Sequence, residues 1–128
     1  MPMDAGFETV RVLTLDETCP VLPLIEGQGR AVALIWPGTG AAHRSMHHFD
    51  MAAGDATVSQ CHPGEAAYYI KSGTGVVMDP ADGVAQPLIE GSMVHVGPNT
   101  AYRFVAGDDG MVMLGGPCPP DPALYAHL

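Results

Sequence analysis

A chain of 128 residues is the size of one domain, large enough to bury a core without disulfide or metal staples. Its 47% hydrophobic content excludes a disordered chain. A net charge of −9, with five basic residues, excludes the Lys/Arg surface that nucleic acid or an anionic membrane requires.

Taken in chain order, the N-terminal "MPMDAGFETV" has neither a basic start nor an apolar centre and does not read as a signal peptide. No later run reaches the roughly 18 apolar residues of a membrane helix. Alternation predicts a strand over 9–15 ("TVRVLTL"), then an apolar strand over 30–36 stopped by "PGTG" and a mixed strand over 44–51 stopped by "AAGD". Further strands are expected at 66–72, 75–79, 91–96, 101–106 and 111–116, each ended by a glycine-bearing turn. The one helical signal is C-terminal, "PPDPALYAHL", where Asp121 caps and Pro122 occupies the first helical position. Short strands at this spacing, with 16 glycines and 12 prolines spread between them, mean an all-β sandwich or barrel. Cys19, Cys61 and Cys118 are odd in number and contain no CxxC, so they read as free thiols in a reducing cytoplasm.

The stretch "SQCHPGEAAYYIKSGTG" and the segment opening at Gly91, "GSMVHVGPNTAYRF", resemble the two motifs of the cupin superfamily. That resemblance implies a double-stranded β-helix, or jelly-roll barrel. It also implies a single domain over 1–128, with a barrel core over about 30–116, an N-terminal strand extension over 8–29 and a tail over 117–128. Gly54, His62 and Gly73 fall in register with the first motif, and Gln60 stands where that motif has its first metal-binding histidine. The glutamate position holds Ala66, with Glu65 one residue away, so Glu65 reaches the interior only through a bulge. In the second motif Asn99 replaces the turn glycine, which its tolerance of positive φ permits, and Tyr102 takes the histidine position. A looser similarity is to ectoine synthase-type cupins.

In cupins the two motif histidines face inward. Stepping along the strands from that premise puts Ser45, His47, Phe49, Met51, Gln60, His62, Ala66, Tyr68, Ile70, Val94, Val96, Tyr102 and Phe104 inside, and His48, Asp50, Tyr69, Lys71 and His95 outside. His47, Gln60, His62, Tyr68 and Tyr102 on an apolar wall describe a small-molecule pocket. Three functions stay open. One is a divalent-metal enzyme binding zinc, iron, manganese or nickel through His62 with partners from Glu65, His47, Gln60 and Tyr102. Another is a metal-free lyase, dehydratase, isomerase or cyclase with His62 or His47 as base and Tyr68 or Tyr102 as donor. The last is a non-catalytic ligand-binding protein. The expected partners are a small-molecule substrate and, because free sheet edges need covering, a second copy in a homodimer.

Overall fold

Side chains that alternate between large apolar and polar cannot lie flat in water, and here they curl one sheet around itself. The computed structural model describes residues 10–128, in which nine strands form that sheet. They are β1 Val21–Leu22, β2 Ile25–Glu26, β3 Arg30–Ile35, β4 Met46–Met51, β5 Ala56–Thr57, β6 Glu65–Met78, β7 Ala85–Leu88, β8 Met93–Val96 and β9 Arg103–Cys118. The order is β1-β3-β4-β9-β5-β2, and β6 lies on the other side of β9 while also pairing with β7 and β8. The result is an all-β jelly roll, a nearly closed barrel. No helix among the described residues is long and apolar enough to cross a membrane.

Two expected boundaries disappear. The strands expected at 66–72 and 75–79 are one strand, β6, and those at 101–106 and 111–116 are one strand, β9. The glycines between them bend the ladder instead of ending it. Register shifts fall between Ile70 and Ser72 and between Gly73 and Gly75, with Gly73 at φ 83°. Such bulges let a long strand turn the corner of a barrel. The strand expected over 9–15 does not form: residues 10–15 are irregular, and Thr9 lies outside the described residues. That segment alternates but forms no ladder with another strand. The turn at Asn99 forms as expected, at φ 55°, the one positive φ outside glycine among the described residues.

The facing pattern holds throughout the inner strands. Ser45, His47, Phe49, Met51, Gln60, His62, Ala66, Tyr68, Ile70, Val96, Tyr102 and Phe104 are all buried, and Val94 is half-buried. Register then sorts the interior into two layers. Along β4, Phe49 and Met51 lie opposite Met113 and Met111 of β9, with Ile70 of β6 opposite Met113 on the other side. Toward the other end of β4 the side chains become polar at His47 and Ser45. There His47 and Tyr68 both register against Gly115. A Cβ at Gly115 would lie 2.7 Å from the Tyr68 ring, and one at Gly116 would lie 2.6 Å from Ser45 Oγ and 3.1 Å from His47 Nδ1. The glycine pair is the space that those side chains fill.

The apolar end is tied by Asp55, which is 4% exposed. Its carboxylate accepts from the backbone N–H of Gln28 (3.0 Å), Gly29 (2.7 Å) and Ala52 (2.9 Å), joining the β2–β3 and β4–β5 turns. The amide of Gln28 does most to hold this carboxyl below its ordinary pKa, opposed by burial and helped by the other two amides.

Candidate functional site

At the polar end, four side chains form one hydrogen-bonded line. Asp121 Oδ2 lies 2.7 Å from His62 Nδ1, His62 Nε2 lies 2.8 Å from the Tyr102 hydroxyl, and that hydroxyl lies 2.5 Å from the hydroxyl of Tyr68. His62 precedes the turn into β6, and its carbonyl accepts from Asn99 N at 2.7 Å, which ties it to the turn before Tyr102. Tyr102 is held by a reciprocal backbone bridge to Gln60, 2.9 Å in each direction. Tyr68 sits within β6, its ring 4.9 Å from that of Phe104.

The chemistry sets the direction of this line. A carboxylate only accepts, so His62 Nδ1 carries the proton toward Asp121. In neutral imidazole Nε2 then accepts from the Tyr102 hydroxyl, and the Tyr102 oxygen accepts from Tyr68. Protonation of Nε2 reverses both hydroxyls. Burial pushes the Tyr68 and Tyr102 phenols well above the usual tyrosine pKa, so both rest as neutral donors.

A second contact lies beside the first. His47 Nε2 is 2.7 Å from the Tyr125 hydroxyl, and the Tyr125 ring packs 5.0 Å from that of Trp36. Burial, reinforced by the neighbouring His62, lowers the His47 pKa to about 4 and so keeps it neutral. Burial also raises the Tyr125 phenol to about 12, against the pull of the neighbouring Ser45 hydroxyl.

Asp121 and Tyr125 were not among the candidates read from sequence. The expected cap is present: Asp121 Oδ1 accepts from Ala123 N at 3.1 Å at the head of the 3-10 turn Pro122–Tyr125. The other oxygen of the same carboxylate orients His62. The tail thus closes the polar end with two side chains, across sequence separations of 59 and 78 residues. Nothing local in the sequence signals such a return.

Glu65 corrects the expected ligand set. β6 runs without a register shift from Glu65 to Ile70, and its alternation turns Ala66 inward and Glu65 outward. Its side chain is 60% exposed and lies 2.6 Å from His95 Nε2, itself 69% exposed. His62, Tyr102 and Tyr68 are brought together, with Gln60 bridged to Tyr102 through the backbone, and His47 bonds instead to Tyr125.

The donors present do not fit a divalent cation. No three His, Cys, Asp or Glu side chains converge among the described residues. Both nitrogens of His62 are engaged, Nδ1 by Asp121 and Nε2 by Tyr102. Among the described residues, the buried side-chain atoms without partners are His47 Nδ1, the indole nitrogen of Trp36, and the two amide atoms of Gln60. An indole N–H is no ligand, which leaves one good donor and one weak one, where a site needs at least three.

No family model matches the sequence and no curated protein matches it. Solved structures do match. An RmlC-like cupin from Shewanella frigidimarina is 16% identical with a TM-score of 0.66, covering 86% of this chain and 92% of its own. The polyketide cyclase RemF from Streptomyces resistomycificus is 18% identical with a TM-score of 0.66, covering 92% and 94%. A predicted oxalate decarboxylase from Thermotoga maritima is 18% identical with a TM-score of 0.63, covering 82% and 96%. The chain has the cupin fold. The looser similarity to ectoine synthase-type cupins is not shown.

Proposed function

We propose that this protein is an acid–base enzyme for a small oxygenated molecule, of the lyase, dehydratase, isomerase or cyclase kind, working through its own side chains without a metal. The observation that carries this reading is the line Asp121–His62–Tyr102–Tyr68. As the Tyr102 oxygen takes a proton from a substrate carbon, its own proton passes to His62 Nε2, and the imidazolium forms against the Asp121 carboxylate. No bare phenolate accumulates, which the raised tyrosine pKa values would otherwise make costly. Tyr68 keeps its proton and donates a hydrogen bond to the substrate carbonyl oxygen, where the electron pair released from the C–H bond comes to rest as an enolate, its charge balanced by the imidazolium. Asp121 orients the base and compensates its charge, as a carboxylate does for histidine in other proton-transfer sites. The similarity in fold to a polyketide cyclase is compatible with carbonyl chemistry.

Deuterium wash-in at the α-carbon of 2-tetralone, followed by NMR in D2O, tests the reading. Wild-type protein is expected to accelerate exchange above buffer, unchanged by EDTA, and His62→Gln to abolish the acceleration. Exchange that requires added divalent metal, or that survives His62→Gln, overturns it.

A further inference from the structure

The proton line leaves part of the polar interior unused. Gln60 is 5% exposed, yet neither Oε1 nor Nε2 of its amide has a partner. His47 is 1% exposed, and its Nδ1 is likewise unpartnered, in a ring packed against Gly116. A buried polar atom without a partner costs about 1–3 kcal/mol, so two orphaned residues in one layer are a feature to explain. By contrast, the buried Asp55 has three amide donors, so the fold can saturate a polar group where only structure is at stake.

The unused atoms have a definite chemistry. An amide presents one acceptor and two donor hydrogens in a plane. Its complement is a planar group with a donor beside an acceptor. With Nε2 accepting from Tyr125, His47 Nδ1 adds a further N–H donor. Exchanging O and N of the Gln60 amide changes nothing, because both ends are free. No cation serves this layer: Arg103 binds the Thr57 carbonyl and Glu26, while Arg11, Arg30, Arg44 and Lys71 are exposed. The Asp121 carboxylate on His62 places a negative charge at this end, which repels an anion.

We infer that Gln60, assisted by His47, is the recognition element for a neutral planar group pairing a carbonyl with an adjacent N–H or O–H: a lactam, a carboxamide or an enolised 1,3-dicarbonyl. The site discriminates against the isosteric carboxylate, which lacks the donor and brings an uncompensated charge into a buried layer. This deepens the reading above by naming what the interior binds, yet it does not depend on proton transfer.

Side-chain amide resonances of 15N-labelled protein, with Gln60 assigned by its loss in Gln60→Leu, are titrated with millimolar 2-pyridone, benzamide or benzoate. The Gln60 NH2 pair is expected to shift with 2-pyridone and benzamide and to stay in place with benzoate. Gln60→Glu, which keeps the shape and loses the donors, is expected to abolish the response of neighbouring interior signals to 2-pyridone. Tyr102→Phe is expected to retain it, which separates a failure of the acid–base reading from a failure of this one. An unmoved Gln60 pair with both neutral probes, an equal response to benzoate, or an undiminished 2-pyridone response in Gln60→Glu overturns the inference.

Discussion

Each end of this barrel is closed by an aspartate from a separate segment, and the two closures differ in kind. Asp55 accepts three backbone amides from two turns and is 4% exposed. Asp121 divides its oxygens between the His62 ring and one amide of its own 3-10 turn, with 13% of its side chain exposed. Backbone donors cannot rotate away, so Asp55 fixes two loops at once. A side-chain acceptor on a short turn makes a reversible contact. Around Asp55 the polar groups are satisfied, whereas beside Asp121 the side chains of Gln60 and His47 keep free atoms. Saturation marks the end built for stability, and unspent hydrogen-bonding capacity marks the end built for a ligand.

Removing the saturated closure is expected to have the largest effect. Asp55→Ala leaves three amides of the Gln28, Gly29 and Ala52 turns without their acceptor, and its thermal melt should fall further than that of Asp121→Ala. A larger fall for Asp121→Ala would invert the comparison.

Acid is expected to act on the other end through His47. In the unfolded chain this imidazole takes a proton near pH 6.5, and in the folded protein only near 4. Between those values the unfolded state binds more protons, so stability is fully present above 6.5 and falls as pH drops through the window. The loss reaches roughly 3 kcal/mol, because holding a proton off over each pH interval of one costs the fold about 1.36 kcal/mol. Urea titrations at several pH values should show this slope, and His47→Gln should flatten it. An equal slope in the variant would place the acid sensitivity elsewhere.

The smallest effect is expected outside. Glu65→Ala removes a solvent-exposed pair with His95 and should change stability by under about 1 kcal/mol, with no effect on tetralone exchange. Loss of exchange would return Glu65 to the site.

The side chains that line the interior were legible because period-two alternation does not depend on tertiary detail. His47 to Met51, Ala66 to Ile70, and Tyr102 to Phe104 all face as stepping along the strands predicts. Strand ends were less legible. The "GTG" and "GDDG" segments carry the residues of a turn, and a bulged strand uses glycine for the same backbone freedom, so composition cannot separate them. In the site, His62, Tyr68 and Tyr102 could be placed on the inner face, but the line joining them ends on Asp121. That residue is a helix cap by every local criterion, and its second oxygen is committed by a long-range contact. The orphaned amide of Gln60 was likewise invisible, because an unpartnered atom is defined by what fails to reach it.

The position of β9 in the ladder governs how the molecule is made. This strand pairs with β4, β5 and β6, and it is the last of the nine in chain order, at residues 103–118. Until it emerges during synthesis, the edges of β4 and β6 lack their partner, and the nascent chain is an open sheet exposed to strand addition from other chains. Assembly is therefore weighted to a strand translated after the eight it organises. A ribosome that stalls before residue 103 releases an aggregation-prone sheet, not a shorter barrel.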